Sequence, residues 1–248
     1  MASNPPGKCC GEGHIHDGTP KGKITTFAGV ESYISPSPSG STSKVLYFLT
    51  DIIGHGFINA QLLADGYAAH GYHVVMPDLF RGDPWLMDAS ARVPADLTLP
   101  GWVQNHMLPQ VEPIVLQVLE GIKSELKPQK IVAVGYCFGA KYVIRLLANE
   151  VQAGYVAHPS FVSLEELAEI KGPLAIAAAE TDSIFTTELR HETEAKLKEM
   201  GATYQINLFG GVEHGFSVRG DMSKRWEKRA KEKAFEMALE WFQFHLDG

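Results

Sequence analysis

The chain has 248 residues, of which 45% are hydrophobic and 21% are charged, and its formal net charge is −7. This size allows one sizeable core, and the acidic balance disfavours nucleic acid and anionic membrane surfaces, which are bound mainly by basic patches. No apolar run approaches the ~20 residues that a membrane-spanning helix needs.

The N-terminal residues and the cysteines indicate a cytosolic protein. Met1–Lys8 is polar and lacks the apolar stretch of a secretory signal. Of the three cysteines, Cys9 and Cys10 are adjacent, and adjacent cysteines rarely form a disulfide with each other. We therefore expect no disulfide framework. We expect a small-molecule substrate, no nucleic acid or membrane partner, and either a monomer or a homodimer.

Strands and helices alternate along the predicted elements. Residues 1–22 are predicted to be an irregular lead-in and residues 23–248 a single domain, with Ser35–Thr42 a loop between two edge strands. Strands are predicted at Lys44–Thr50, Tyr72–Met76, Lys130–Val134, Gly154–Ala157, Leu174–Ala179 and Tyr204–Phe209. Helices are predicted at Asn59–His70, Trp102–Leu126 (interrupted at Pro109 and Pro113), Phe138–Asn149, Phe185–Met200 and Asp221–His245, with a loop at Gly82–Gly101. This alternation predicts a mostly parallel central sheet with helices on both faces, and ligands beyond the carboxyl ends of its strands.

The sharpest chemical signal is the segment Gly135–Gly139 (GYCFG), which joins a predicted strand directly to a helix. This is the nucleophile-elbow pattern of α/β-hydrolases, with Cys137 as the nucleophile. The glycines two residues before and after it suit a tight turn, and a helix N-terminus favours the thiolate. The alternative is a buried structural cysteine.

A cysteine nucleophile needs a base and a group that orients the base. Asp182 and His214 follow two later predicted strands, in the order nucleophile, acid, histidine that this fold requires. Glu180 competes for the orienting role, but Asp182 is favoured because it lies past the strand end. A solvated loop histidine is the alternative for His214.

The oxyanion of acyl transfer needs backbone donors, and Phe138, directly after the nucleophile, should supply one. Ile52, in the glycine-rich segment after an earlier strand, is the candidate for the second. Asp51 beside it could modulate the Cys137 thiol, with a capping or turn role as the alternative.

Taken together, these motifs resemble those of the dienelactone hydrolase family, from about Leu46 to Phe244. The resemblance is carried by GYCFG, by Leu49–Asn59 (LTDIIGHGFIN), by Met76–Asp83 (MPDLFRGD) and by His214-Gly215-Phe216. The N-terminal CCGEG and HDGTP segments resemble the fungal branch of that family. The resemblance implies an α/β-hydrolase fold and a metal-free cysteine hydrolase of small esters or lactones that works through a thioester on Cys137.

The resemblance also suggests residues for substrate binding. The family holds a substrate carboxylate with arginines, for which Arg219 and Arg81 are the matches, and its acid near the nucleophile corresponds to Asp51. Two residues outside the resemblance could line the pocket. For His158 a packing or capping role fits at least as well, and for Trp85 anchoring of its loop to the core is favoured.

Two other patterns are assigned no function. Cys9 and Cys10 with His14 and His16 do not match the usual spaced zinc pairs, so neither a metal nor any other cofactor is expected. The basic residues between Lys224 and Lys233 alternate with glutamates and are predicted to form a solvated helix face.

Three functions remain open from the sequence alone. The leading one is ester or lactone hydrolysis. The second is a lyase, isomerase or cyclase reaction on a lactone or polyketide-like metabolite at the same site, because fold does not fix function. The third is a non-enzymatic binding or redox-sensing protein built around Cys137.

Overall fold

The computed structural model describes residues 1–91 and 96–247, and within them the centre is one eight-stranded sheet. Its strands are β1 (Lys23–Phe27), β2 (Val30–Ser35), β3 (Lys44–Leu49), β4 (His73–Pro77), β5 (Lys130–Tyr136), β6 (Ala153–Ala157), β7 (Leu174–Thr181) and β8 (Tyr204–Glu213). Their order across the sheet is β1-β2-β4-β3-β5-β6-β7-β8. The β1–β2 and β2–β4 pairs are antiparallel and all the others are parallel, which confirms the predicted sheet.

Helices connect the parallel strands. They are α1 (Ile58–Ala69), α2 (Leu99–Gln104), α3 (Leu108–Gly121), α4 (Gly139–Leu146), α5 (Leu164–Ala168), α6 (Thr187–Glu199), α7 (Phe216–Arg219) and α8 (Arg225–Leu246). Short 3₁₀ helices lie at Lys8–Gly11 and Ala89–Ala91, and a π-helical turn at Ile122–Leu126 extends α3. None of the helices in the described ranges is long and apolar enough to cross a membrane.

Helices cover both faces of the sheet, as adjacent residues of β3 show. The Tyr47 hydroxyl donates a hydrogen bond to the carbonyl of Val115 in α3, at 2.9 Å. The Phe48 ring meets Tyr67 of α1, with ring centroids 6.3 Å apart. Because successive side chains of a strand point to opposite faces, α1 and α3 lie on opposite sides of the sheet.

Some predicted boundaries were wrong. The loop Ser35–Thr42 joins β2 to β3, and neither is an edge strand, because β1 and β8 occupy the edges. The predicted helix Trp102–Leu126 is instead α2 followed by α3, and Pro113 lies inside α3 without ending it. The predicted loop Gly82–Gly101 contains a 3₁₀ turn and the start of α2, and its residues 92–95 lie outside the described part of the chain.

The N-terminal residues 1–22 cross the carboxyl edge of the sheet, where the site lies. The amides of Ala2 and Ser3 donate to the carbonyl of Val162 at 3.0 and 2.9 Å. The amide of His14 donates to the carbonyl of Arg219 at 2.9 Å. This segment is largely irregular, but it packs against the strand ends that carry the candidate catalytic residues.

Candidate active site

Cys137 occupies a strained turn between β5 and α4. Its φ is 50°, in the left-handed region that costs a non-glycine residue conformational energy. A Cβ on Gly135 would lie 2.8 Å from the backbone nitrogen of Ala140, and a Cβ on Gly139 would overlap the carbonyl of Leu49. Only glycine fits at either position, which is the steric requirement of a nucleophile elbow.

Asp182 and His214 are brought together by the pairing of β7 with β8. Thr181 is in register with Glu213 after a bulge. Asp182, which follows β7, therefore lies beside His214, which follows β8. His214 Nδ1 is 2.9 Å from Asp182 Oδ2 and 3.0 Å from Oδ1. The carboxylate also accepts two backbone N–H groups, those of Ile184 at 2.8 Å and Phe185 at 2.9 Å, which fix its orientation.

Glu180 lies outside this arrangement. It is exposed, and its carboxylate accepts the backbone N–H of Gly211 at 2.7 Å. The bulge between Ala179 and Thr181 interrupts the pairing of β7 with β8 around it. Asp182, and not Glu180, therefore bonds the imidazole of His214.

Cys10, which no sequence pattern predicted to be part of the site, contacts both Cys137 and His214. Its Sγ is 3.4 Å from His214 Nε2 and 3.3 Å from Cys137 Sγ. Cys10 and Cys137 are both fully buried. The predicted lead-in therefore contributes a thiol to the site, although the sequence analysis assigned its adjacent cysteines no function.

The electrostatics of the site favour a thiolate–imidazolium pair. Burial opposes ionisation of Cys137, but its hydrogen bond with Cys10 and the charge of His214 hold the pKa of the Cys137 thiol well below its ordinary value. Burial also opposes charge on His214, yet the Cys137 thiolate and the Asp182 carboxylate raise the pKa of His214 to about 10. Each member of the pair thus stabilises the charge of the other.

His158 is a second histidine at the centre of the site. Its ring meets that of His214 edge-on, with centroids 4.9 Å apart, and its Nε2 is 2.7 Å from Ser217 Oγ. Its Nδ1 is buried without a hydrogen-bond partner among the described residues. Burial lowers the pKa of His158 to about 4, so this imidazole is neutral at pH 7.

Asp51 and Arg219 form a buried ion pair beside the site. The guanidinium donates to the Asp51 carboxylate, to the carbonyl of Glu12 at 2.9 Å and to the carbonyl of Cys9 at 3.4 Å. Burial raises the pKa of Asp51 against the attraction of Arg219, and the Cys137 thiolate raises it further. Arg219 therefore fastens the N-terminal segment over the site.

Lys231 belongs to the basic run that was predicted to be solvated, and for this residue the prediction was wrong. Its side chain turns inward, and its Nζ donates to the carbonyls of Ser217 and Val218 at 2.7 and 3.3 Å. Burial lowers the pKa of Lys231 to about 7. The Lys231 Nζ caps the carbonyls of α7, the short helix that ends with Arg219. Helical periodicity alone could not distinguish Lys231 from its exposed neighbours.

The two remaining candidates are Arg81 and Trp85. Arg81 is exposed and borders a groove with Glu31 and Asp78. Trp85 is buried; its backbone N–H donates to the carbonyl of Ile52 at 2.8 Å, and its indole packs against Gly11. Trp85 thus links the candidate oxyanion loop to the N-terminal segment.

A cleft of about 290 Å³ opens beside His214. Its lining includes Cys9, Glu12, His14, His214 and Arg219. Two groups in the described ranges have donor atoms close enough together for a metal ion, Cys9 with Cys10 and His214, and Glu31 with His55 and Asp78. In the second group, His55 already contacts both carboxylates, at 3.0 and 3.7 Å.

Comparison with known proteins identifies the family. The model of the dienelactone hydrolase family matches residues 31–246. The chain is 43% identical to Hydrolase pyvD of Aspergillus violaceofuscus and 45% identical to Hydrolase tropI of Talaromyces stipitatus, in each case over 99% of both chains. Dienlactone hydrolase 1 of Gibberella moniliformis is 33% identical over 99% of this chain and 96% of its own.

Solved structures agree in fold. A dienelactone hydrolase from Anabaena variabilis superimposes with a TM-score of 0.65 at 13% identity, covering 91% of this chain and 98% of that one. The dienelactone hydrolase-like promiscuous phosphotriesterase P91 gives a TM-score of 0.70 at 14% identity, covering 92% and 98%. These similarities confirm the predicted α/β-hydrolase fold. The chain belongs to the dienelactone hydrolase family, as its motifs predicted, and is a hydrolase of carboxylic esters or lactones.

Proposed function

We propose that the protein hydrolyses small carboxylic esters or lactones through a thioester intermediate on Cys137. This proposal depends on one combined observation. Cys137 lies on a nucleophile elbow, and Asp182 holds the His214 imidazole through Nδ1. The electrostatics support it, because the pKa of Cys137 is low and that of His214 is high, which favours the charged pair.

Acylation begins when the Cys137 thiolate attacks the carbonyl carbon of the substrate. The backbone N–H groups of Phe138 and Ile52 stabilise the resulting oxyanion. Both residues follow adjacent parallel strands, because β3 pairs with β5 up to Leu49 opposite Gly135. The His214 imidazolium then protonates the departing alkoxide as the C–O bond breaks, which leaves a thioester and a neutral imidazole.

Deacylation reverses these roles. His214 takes a proton from water, and the hydroxide attacks the thioester carbonyl. Collapse of the second tetrahedral intermediate breaks the C–S bond, releases the carboxylic acid and restores the thiolate–imidazolium pair. Asp182 keeps the His214 Nδ1 proton in place throughout, so that Nε2 always faces the reacting atoms.

Substrate access requires the N-terminal segment to move. Cys137 is fully buried, and the thiol of Cys10 contacts both it and His214. Withdrawal of Cys10 would uncover space beside the nucleophile and the base. It would also free Arg219 from the carbonyls of Glu12 and Cys9, so that its guanidinium could meet a substrate carboxylate.

We assign the other candidate residues to different parts of the substrate region. Neutral His158 is placed to contact a substrate beside His214, whereas Trp85 would form a wall behind the N-terminal segment. Arg81 could act only on a substrate that extends to the outer groove. Asp51 adjusts the charge near Cys137 through its pairing with Arg219. We also propose a single domain over residues 23–248 and a cytosolic location.

Turnover of p-nitrophenyl acetate and a panel of lactones tests this function, with Cys137→Ala and Cys137→Ser as variants. We expect native protein to add one water to each accepted substrate and Cys137→Ala to lose turnover while keeping its thermal unfolding temperature. Full activity in Cys137→Ala would overturn the proposal. A product of unchanged mass would instead indicate the isomerase or cyclase alternative.

A further inference from the structure

We propose that Cys9, Cys10 and His214 form a binding site for a thiophilic divalent cation, with Zn²⁺ as the best-matched ion, and that the bound ion inhibits the hydrolase. The binding stands on geometry alone, whereas the inhibition rests on the proposed role of His214. Spacing in the sequence did not indicate this set, because His214 lies more than 200 residues beyond the cysteines.

The three donor atoms are already grouped as a metal would require. The two sulfurs and a ring nitrogen of His214 all lie within 4.8 Å of one another, and the Cys10 sulfur is 3.4 Å from His214 Nε2. Zinc bonds of about 2.3 Å to sulfur and 2.0 Å to nitrogen place tetrahedral donors roughly 3.5–3.8 Å apart. Cys9 is only half buried, so its side chain has room to close the remaining distance.

The surroundings of His214 suit a metal ligand. Its Nδ1 is bonded to Asp182 at 2.9 Å, which leaves Nε2 directed at the thiol of Cys10. A carboxylate on the far nitrogen of a metal-binding histidine fixes the ring and raises its basicity. Two thiolates and a neutral imidazole would balance the charge of the dication, with their protons released to solvent on binding.

The site has an entry path and a neighbouring fourth donor. Cys9 and His214 both line the cleft of about 290 Å³ that opens to solvent. Cys137 Sγ lies 3.3 Å from Cys10 Sγ, so it can complete the coordination or leave that position to water. A structural zinc has four ligands, whereas an accessible one keeps a position open, and both are compatible with this arrangement.

Bound metal would stop turnover for two reasons. It would occupy the lone pair of His214 Nε2 that must accept a proton from water. It would also hold Cys10 against Cys137 and the imidazole, and thereby keep the N-terminal segment over the nucleophile. The enzyme is therefore active when these three side chains hold no metal ion and inactive when they bind one.

Titration of the reduced, metal-free full chain with Co²⁺ and then Zn²⁺ tests the proposal directly. Cobalt bound by thiolates shows sulfur-to-metal charge-transfer absorption, which reports the ligands without any reference to activity. We expect one ion per chain, displacement of cobalt by zinc, and reversible loss of p-nitrophenyl acetate turnover that a chelator restores. A non-thiol reductant excludes a Cys10–Cys137 disulfide as the cause of the loss.

Variants assign the ligands. Cys9→Ser and Cys10→Ser should each weaken zinc binding by at least about tenfold, and Cys137→Ala should still bind. His14→Ala is the matched control, because His14 lines the same cleft but lies outside the donor set, and it should bind normally. Absence of charge-transfer absorption, or equal binding by Cys9→Ser, Cys10→Ser and native protein, would overturn the proposal. If Cys137→Ala retains esterase activity, the proposed function fails, and the cobalt titration still decides this inference.

Discussion

Replacement of Asp182 by asparagine should uncouple the base from its orienting group without disturbing the fold. The asparagine keeps a carbonyl oxygen that can accept the N–H groups of Ile184 and Phe185, now bonded at 2.8 and 2.9 Å. The negative charge next to His214 Nδ1 is lost, and with it part of the rise in the pKa of His214 to about 10. The amide can also present its NH₂ group to Nδ1 and so stabilise the wrong tautomer.

The expected loss in kcat/KM is in the range that general acid–base catalysis contributes, roughly 10²–10⁴-fold. The assay is p-nitrophenyl acetate turnover beside thermal unfolding of each variant. Glu180→Gln is the matched control, since Glu180 is a nearby but exposed carboxylate that bonds the backbone of Gly211. The reasoning is refuted if Asp182→Asn stays within about threefold of native protein, or if Glu180→Gln loses as much activity.

Three further predictions concern stability. Gly139→Ala should lower the free energy of unfolding in urea by about 1–3 kcal/mol, because its Cβ would overlap the carbonyl of Leu49 in β3. Gly56→Ala, which has open space around its Cβ, should change this free energy little. Arg219→Met should lower the free energy of unfolding by about 3–5 kcal/mol, because it leaves the buried Asp51 carboxylate without its partner. Addition of Asp51→Asn should recover part of this loss. Strictly additive losses in the double variant would argue against a coupled ion pair. Burial lowers the pKa of Lys231 to about 7, so between about pH 7 and 10 the unfolded state binds a proton that the folded state does not. The free energy of unfolding should therefore increase as the pH rises through this range. Lys231→Met should lack this gain between pH 7 and 9, and an equal pH dependence in both proteins would contradict the buried lysine.

Local patterns in the sequence were sufficient to predict the sheet, the strand–turn–helix at Cys137 and the chain order of the candidate catalytic residues. Buried strands such as Lys130–Tyr136 are continuous apolar runs, and Gly135 and Gly139 are required by contacts within a few residues or with the adjacent strand. The short helices α5 and α7 were missed because four or five residues carry no visible period.

The position of Cys10 could not be predicted for a different reason. Its contacts with Cys137 and His214 span 127 and 204 residues, and the segment that carries it has neither helical nor strand periodicity. Its placement depends on hydrogen bonds such as that from Arg219 to the carbonyl of Glu12, which exist only after the chain has folded. Lys231 is a second case, because burial of a lysine on an otherwise charged helix depends on the carbonyls it meets.

The most direct test of the central claim is the site of acylation during turnover. Native protein would be quenched in acid within the first turnovers of p-nitrophenyl acetate and digested, and the acyl group would be located by mass spectrometry. We expect a labile acyl group on Cys137, with Cys10, only 3.3 Å away, unmodified. An acyl group on Cys10 that forms and disappears at the rate of turnover, or none on Cys137, would contradict it.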